Sequence, residues 1–362
     1  MKDIPERLTE IPAKLTGSFI RHFLKDKYRK TLFRLCRGEK ELPEGQAQFR
    51  TAIFHGFTKH SDTPDMQKFR HTLQHKGRSD LFYLDLPYHG LSEPDVRLRG
   101  KIKHFGRLIE AVFALTLKAL ARPATSGPTP PVILIGYSTG ALAIMRFLQI
   151  YPELQKYIAG VVFVAIPLRL DHKANDLVQK YRKYVERVMR WASYLPYIKD
   201  LPIGDVGVGD PSDELEYNDK IGLRSAMELH VATIEARRNF DKITVPCLFL
   251  HCAKDPIAPI GDAKDAYNLV LTPTELKELI IYPNAEHGLL DEQKSRLDIT
   301  EDMLKWMAKI RERAAWMPVE HENLMDDTME LTSDTFFYLR RRLTQVKKIL
   351  LRWFDNLAFW RR

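Results

Sequence analysis

Six short apolar runs recur along the chain: "TAIFHG" at 51–56, "DLFYLDL" at 80–86, "PVILIG" at 131–136, "IAGVVFVAI" at 158–166, "TVPCLFLHC" at 244–252 and "LKELIIYP" at 276–283. Each has the length of one strand, and so little polar interruption implies burial on both faces, as in a parallel sheet. Helical spacing fills most of the intervals. Ile102, Phe105, Ile109, Val112, Phe113 and Leu120 lie on one face of the stretch 102–120, and 140–151 and 300–313 behave alike. The alternation predicts an α/β fold, a mostly parallel sheet flanked by helices.

The rhythm breaks in two places. "RPATSGPTPP" at 122–131 is rich in proline and small polar residues and reads as a surface loop. From Pro167 to about Lys242 charged helical stretches carry Tyr181, Tyr184, Trp191, Tyr194, Tyr197 and Tyr217 with no obvious core strand. This predicts a helical cap inserted over about 168–240. The start of the core is open, because "TLFRLC" at 31–36 alternates like a strand and also continues the helical pattern of Ile20, Leu24, Tyr28 and Leu32. The expected division is a basic helical extension over 1–30, a main domain over 31–314, and a linker with a carboxyl-terminal helix over 315–362.

Charge is uneven. Residues 11–40 carry a net +7 and 334–362 a net +6, so that the chain's total of +9 leaves the body at −4. An acidic body between basic ends argues against a nucleic-acid groove in the main domain, and no nucleic-acid partner is expected. Three cysteines, Cys36, Cys247 and Cys252, have neither zinc-site spacing nor disulfide density, which points to a reducing compartment. The amino terminus lacks the apolar core of a secretory signal, and no stretch reaches a membrane span. A cytoplasmic protein, peripheral on the inner membrane surface, is the expectation.

"VILIGYSTGALAIM" at 132–145 brings the chemistry in. Ser138 lies between Gly136 and Gly140 where a strand gives way to a helix, and small flanking residues allow a sharp turn that lifts the hydroxyl above the sheet. A serine hydroxyl needs a base, and the base an orienting acid, in the chain order nucleophile, acid, histidine for such a fold. Asp255 in "AKDPIAP" and His287 in "NAEHGLLDE" follow successive strands in that order. Asp262 and Asp265 are rivals for the acid and His251 for the base. The amide of Phe57, after the His55-Gly56 turn, and that of Thr139 are candidate donors to an oxyanion.

Taken together, "HGFTKHSDT", "DLPYHGLSEPD", "GYSTG", "AKDPIAP" and "AEHGLLDE" resemble the α/β-hydrolases, and among them the monoacylglycerol lipase and lysophospholipase branch, over about residues 31–314. The resemblance implies that Ser138 is the nucleophile, Asp255 the acid, His287 the base, and Phe57 and Thr139 the oxyanion donors. It makes Asp85, His89, Gly90 and Ser92 a structural loop, in which Tyr88 stands where that family usually has glycine. The implied reaction is acyl-ester hydrolysis through an acyl-enzyme, requiring no metal or organic cofactor. A thioesterase or peptidase of the same fold would use the same groups.

The tail supplies a partner. Phe336, Leu339, Leu343, Val346, Leu350, Trp353, Leu357 and Trp360 form a stripe opposite Arg341, Lys348 and Arg352, as in an interfacial helix. An anionic membrane surface is the expected contact, with residues 14–28 adding a second. Docking on the protein's own core or on a partner protein would use the same stripe. A membrane-derived lipid ester, such as a monoacylglycerol or lysophospholipid, is the expected substrate.

Overall fold

The computed structural model describes residues 46–314 apart from 93–95, 122–129, 170–181, 205–208, 286 and 291–292, together with 35–37, 42 and 43. The basic segments expected to be helical at the two ends lie outside the described residues, as do most of the proline-rich loop and the start of the insertion.

A seven-stranded sheet forms the centre. In chain order its strands are β1 (Leu35–Arg37), β2 (Phe49–Phe54), β3 (Ser79–Leu84), β4 (Val132–Tyr137), β5 (Gly160–Val164), β8 (Cys247–Cys252) and β9 (Lys277–Tyr282). A separate antiparallel pair, β6 (Pro202–Gly204) with β7 (Ile221–Gly222), belongs to the insertion. The spatial order is β1-β3-β2-β4-β5-β8-β9, with β1 antiparallel to β3 and every other pairing parallel. Residues 35–37 of the ambiguous segment thus form an edge strand.

Period-two alternation sorts the apolar side chains between two layers. Phe54, Leu134, Phe163 and Phe249 face one core, beneath α2 (Gly106–Ala121), α3 (Thr139–Ile150) and α5 (Leu223–Arg237). Ile53, Ile133, Ile135, Val162, Leu248 and Leu250 face the other, beneath α1 (Pro64–His75) and α7 (Gln293–Ala314). Coverage on both faces explains why β2 to β5 and β8 are buried at every residue. Strand β9, at the edge, is half-buried throughout.

The inserted stretch is composite. It holds α4 (Arg182–Ala192), a run of turns, the β6–β7 pair and then α5. Arg146 on α3 pairs with Glu235 on α5 at 2.6 Å, and the Gln149 amide donates to the Ala236 carbonyl at 2.8 Å. Leu229, Ala232 and Ala236 enter the same core as α3, so α5 flanks the sheet. Helix α6 (Ile260–Leu269) links β8 to β9. Parallel order brings the loops that follow β2, β3, β4, β8 and β9 to one edge of the sheet, where ligand-facing loops of such folds gather.

Candidate active site

Ser138 stands between β4 and α3 at φ 51° and ψ −114°, a left-handed backbone that a residue with a Cβ rarely adopts. Its amide donates to the Val164 carbonyl of β5 at 2.8 Å, and its carbonyl accepts from Leu142 at 3.1 Å, so the turn is held from both sides. The flanking glycines answer to close approach. A Cβ on Gly136 would lie 2.6 Å from the Ala141 backbone, and one on Gly140 would lie 2.4 Å from the Phe54 carbonyl oxygen.

Three side chains form one hydrogen-bonded chain. His287 Nδ1 lies 2.7 Å from Asp255 Oδ2, and Nε2 lies 3.0 Å from Ser138 Oγ. The other oxygen of Asp255 accepts from the amides of Ile257 and Ala258 at 2.9 and 2.7 Å. Burial pushes the Asp255 carboxyl up, but His287 and the two amides outweigh it and hold it below the usual carboxylate range. An ionised Asp255 places the imidazole proton on Nδ1, leaving Nε2 to accept from the serine hydroxyl.

The rival groups lie elsewhere. His251 donates from Nε2 to the Ala258 carbonyl at 2.8 Å, supporting the Asp255 loop from behind, and burial pushes its imidazole down. Asp262 faces Arg169 and accepts from the Leu168 amide, and Asp265 also pairs with Arg169.

Gly56, the residue before Phe57, sits against the serine turn. A Cβ on Gly56 would lie 3.1 Å from the Tyr137 ring and 3.4 Å from Ser138 Cβ. Thr139 opens α3, so its amide is among those a helix leaves without an intrahelical acceptor. His55 fixes the turn from below. Its Nδ1 donates to the Gly56 carbonyl at 2.8 Å while Nε2 accepts from the Leu86 amide at 2.8 Å, and burial pushes its pKa down to about 3. The two hydrogen bonds define a neutral tautomer, a role that the bare "HG" pair does not announce.

The loop after β3 is braced by Asp85. Its carboxylate accepts from the amides of Ser61 at 2.7 Å and Leu91 at 2.8 Å, and its carbonyl accepts from the Ser92 hydroxyl. Tyr88 takes φ 71°, the kind of backbone for which glycine is suited, and burial pushes its phenol up.

One contributor escaped the motif reading. The Tyr137 hydroxyl donates to the His287 carbonyl at 2.7 Å, and the two rings stack with centroids 5.9 Å apart. Being at one of the two variable positions of "GYSTG", Tyr137 carried no signal in the sequence. Among the described residues no group of three or more His, Cys, Asp or Glu side chains is placed to hold a metal ion. No described helix is long and apolar enough to cross a membrane.

The profile of the serine aminopeptidase S33 family, Hydrolase_4, matches residues 45–294 and so spans every element that builds this site. The chain belongs to that family. This S33-family chain is therefore a hydrolase of the α/β-hydrolase superfamily, and solved structures agree on the fold. It is similar to a monoacylglycerol lipase from Paleococcus ferrophilus, with TM-score 0.58, 17% identity, and coverage of 76% of this chain and 99% of that one. It is also similar to a soluble variant of monoglyceride lipase from Saccharomyces cerevisiae in complex with a substrate analogue, with TM-score 0.61, 16% identity, and coverage of 78% and 92%. A structure described with LipS and LipT, two metagenome-derived lipolytic enzymes, gives TM-score 0.54 at 17% identity, covering 75% of this chain and 98% of that one. Among curated protein sequences none matches this chain.

Proposed function

We propose that this S33-family hydrolase cleaves carboxylic esters through an acyl-enzyme on Ser138, and that its substrates are membrane-derived lipids such as monoacylglycerols or lysophospholipids. The observation that carries the reading is the Ser138–His287–Asp255 hydrogen-bond chain beginning at a strained strand-to-helix turn. His287 takes the serine proton as Oγ attacks the acyl carbon, and Asp255 stabilises the resulting imidazolium. The amides of Phe57 and Thr139 receive the oxyanion, and His287 then returns the proton to the leaving alcohol. Water activated by the same imidazole releases the acid.

Support for a lipid comes from the insertion and the ends of the chain. Val188, Trp191, Tyr194, Tyr197, Leu201 and Ile203 are all exposed, Trp191 to 66% and Tyr197 to 94%, next to Arg187, Arg190 and Lys199. Exposed aromatics among cations suit a surface that meets anionic lipid, and the apolar stripe at 336–360 with its opposing cations has the same character. The lipases among the structural neighbours point the same way. In this reading the protein works on the inner membrane surface as a peripheral enzyme.

The test is fluorophosphonate labelling of the purified chain, with competition by acylglycerols, lysophospholipids, thioesters and amino-acid arylamides. Labelling lost in Ser138→Ala and competed best by a lipid ester is the expected result. Labelling that survives Ser138→Ala, or competition led by thioesters or arylamides, refutes it. Pelleting with anionic liposomes, with and without residues 330–362, checks the membrane contact, and equal pelleting of both forms removes the tail from it.

A further inference from the structure

The turn that carries Phe57 is held by the insertion at four consecutive residues. The Phe57 ring meets the Tyr217 ring edge-on at 5.5 Å, with His89 at a similar distance on another side. The Thr58 carbonyl accepts from the Tyr217 amide at 2.9 Å. Lys59 reaches Glu216 at 3.5 Å as well as Asp65 at 3.8 Å, and His60 Nε2 lies 2.8 Å from Asp213 Oδ2. Residues 57–60 thus meet 213–217, about 150 positions away in the chain. The flanks of the turn are tied elsewhere, His55 to the Leu86 amide and the Ser61 amide to Asp85.

The segment making these contacts is stiff in itself. Glu216 accepts from the Asp210 amide at 2.6 Å, Asp213 accepts from the Leu215 amide at 2.9 Å, and the Asn218 side chain donates to the Asp210 carbonyl at 2.9 Å. Arg99 holds its outer side through the Glu214 carbonyl. Tyr217 is seated on Gly100, where a Cβ would come within 2.4 Å of the ring, and its hydroxyl donates to the Lys220 carbonyl at 2.8 Å.

We propose that residues 209–217 are a positioning strap for the oxyanion turn: Tyr217, with Asp213 and Glu216, sets where the Phe57 amide points and thereby how well the site binds a negatively charged acyl oxygen. The proposal rests on the ester-hydrolase reading above. Tyr217 acts through Phe57, so its loss weakens the transition state and leaves ground-state binding alone. An oxyanion donor is worth on the order of 100-fold to 1000-fold in rate, and a displaced one loses part of that.

The test uses the full chain with p-nitrophenyl butyrate as substrate and butylboronic acid as inhibitor, since its serine adduct is an anionic tetrahedral boronate that places a boron-bound hydroxyl in the hole. Tyr217→Ala is expected to lower kcat by about 10-fold or more, with KM within about twofold and the boronate inhibition constant raised in proportion. Tyr217→Phe, which keeps the ring, restores kcat. Unchanged kcat and boronate affinity in Tyr217→Ala, or a rise in KM alone, overturns the strap. Should Tyr217→Ala fail to fold, the double substitution Asp213→Asn with Glu216→Gln carries the same expectation at about threefold or more, and unchanged kcat there overturns the proposal. A wild-type chain inert to both ester and boronate overturns the ester-hydrolase reading and the strap with it, whereas an active wild type with unaffected variants overturns the strap alone.

Discussion

Ser138, His287 and Asp255 are held by groups whose removal has separable costs. In the ester-hydrolase reading, Asp255→Asn keeps the shape but lets the amide present its N–H to Nδ1, favouring the wrong tautomer. A loss of about 10⁴-fold in kcat is expected, as for the corresponding change in a Ser-His-Asp triad, and steady-state ester hydrolysis measures it. Tyr137→Phe deletes the hydrogen bond to the His287 carbonyl while keeping the ring. It should cost about 1 kcal/mol of stability and lower kcat several-fold, so a variant with wild-type kcat would deny Tyr137 any part in holding the base. How legible these residues were follows from how local their signals are. Ser138, Asp255 and His287 each come shortly after an apolar run, and parallel order delivers the ends of such runs to one edge. The Tyr137 hydroxyl and the hold of Asp213 and Tyr217 on residues 58–60 leave no periodic trace, because they join segments about 150 residues apart.

Among the elements, the central strands were legible to within two residues or so, since double-sided burial makes them continuous apolar runs. Helix α1 rests on a narrow stripe of Met66, Phe69 and Leu73, and α5 follows charged, aromatic sequence that reads as cap. Packing on α3, which no local pattern reports, makes α5 a flanking helix of the sheet. Helix α7 carries an apolar stripe, with Ile299, Met303, Trp306, Met307 and Ile310 buried against the sheet. Trp306 reaches so close that a Cβ on Gly160 would lie 2.5 Å from its ring. Trp306→Ala should therefore cost about 3–5 kcal/mol in urea denaturation, whereas Leu297→Ala, on the exposed side of the same helix, should stay within about 0.5 kcal/mol. Equal losses at the two positions would mean that α7 does not pack by this face.

For the molecule as a whole, three buried histidines make stability pH-dependent. Burial pushes His55 down to about 3 and also lowers His89 and His251, whereas each titrates near 6.5 in the unfolded chain. Between those limits the unfolded state binds more protons, so stability falls as pH drops below about 6.5. Well below that point the slope is about 1.4 kcal/mol per pH unit for His55 alone. The depressed carboxyl of Asp255 contributes stability above its unfolded value near 3.9 and loses it as pH falls further, extending the decline at the acid end. Urea midpoints should decrease from pH 7 to pH 5, and His55→Gln should flatten part of that slope. A midpoint constant over this range would contradict the neutral buried assignment.

In the ester-hydrolase reading the sheet also divides the surface into a reactive pole and an inert one. The loops after β2, β4, β8 and β9 hold Phe57, Ser138, Asp255 and His287, while the approaches to those strands lie at the far end. Leu271, 62% exposed on the approach to β9, stands at that far end, and Cys247 and Cys252 are buried. A single thiol introduced as Leu271→Cys in a Cys36→Ser background is thus a handle for oriented immobilisation. The chain tethered there should turn over soluble ester at the rate it shows free in solution.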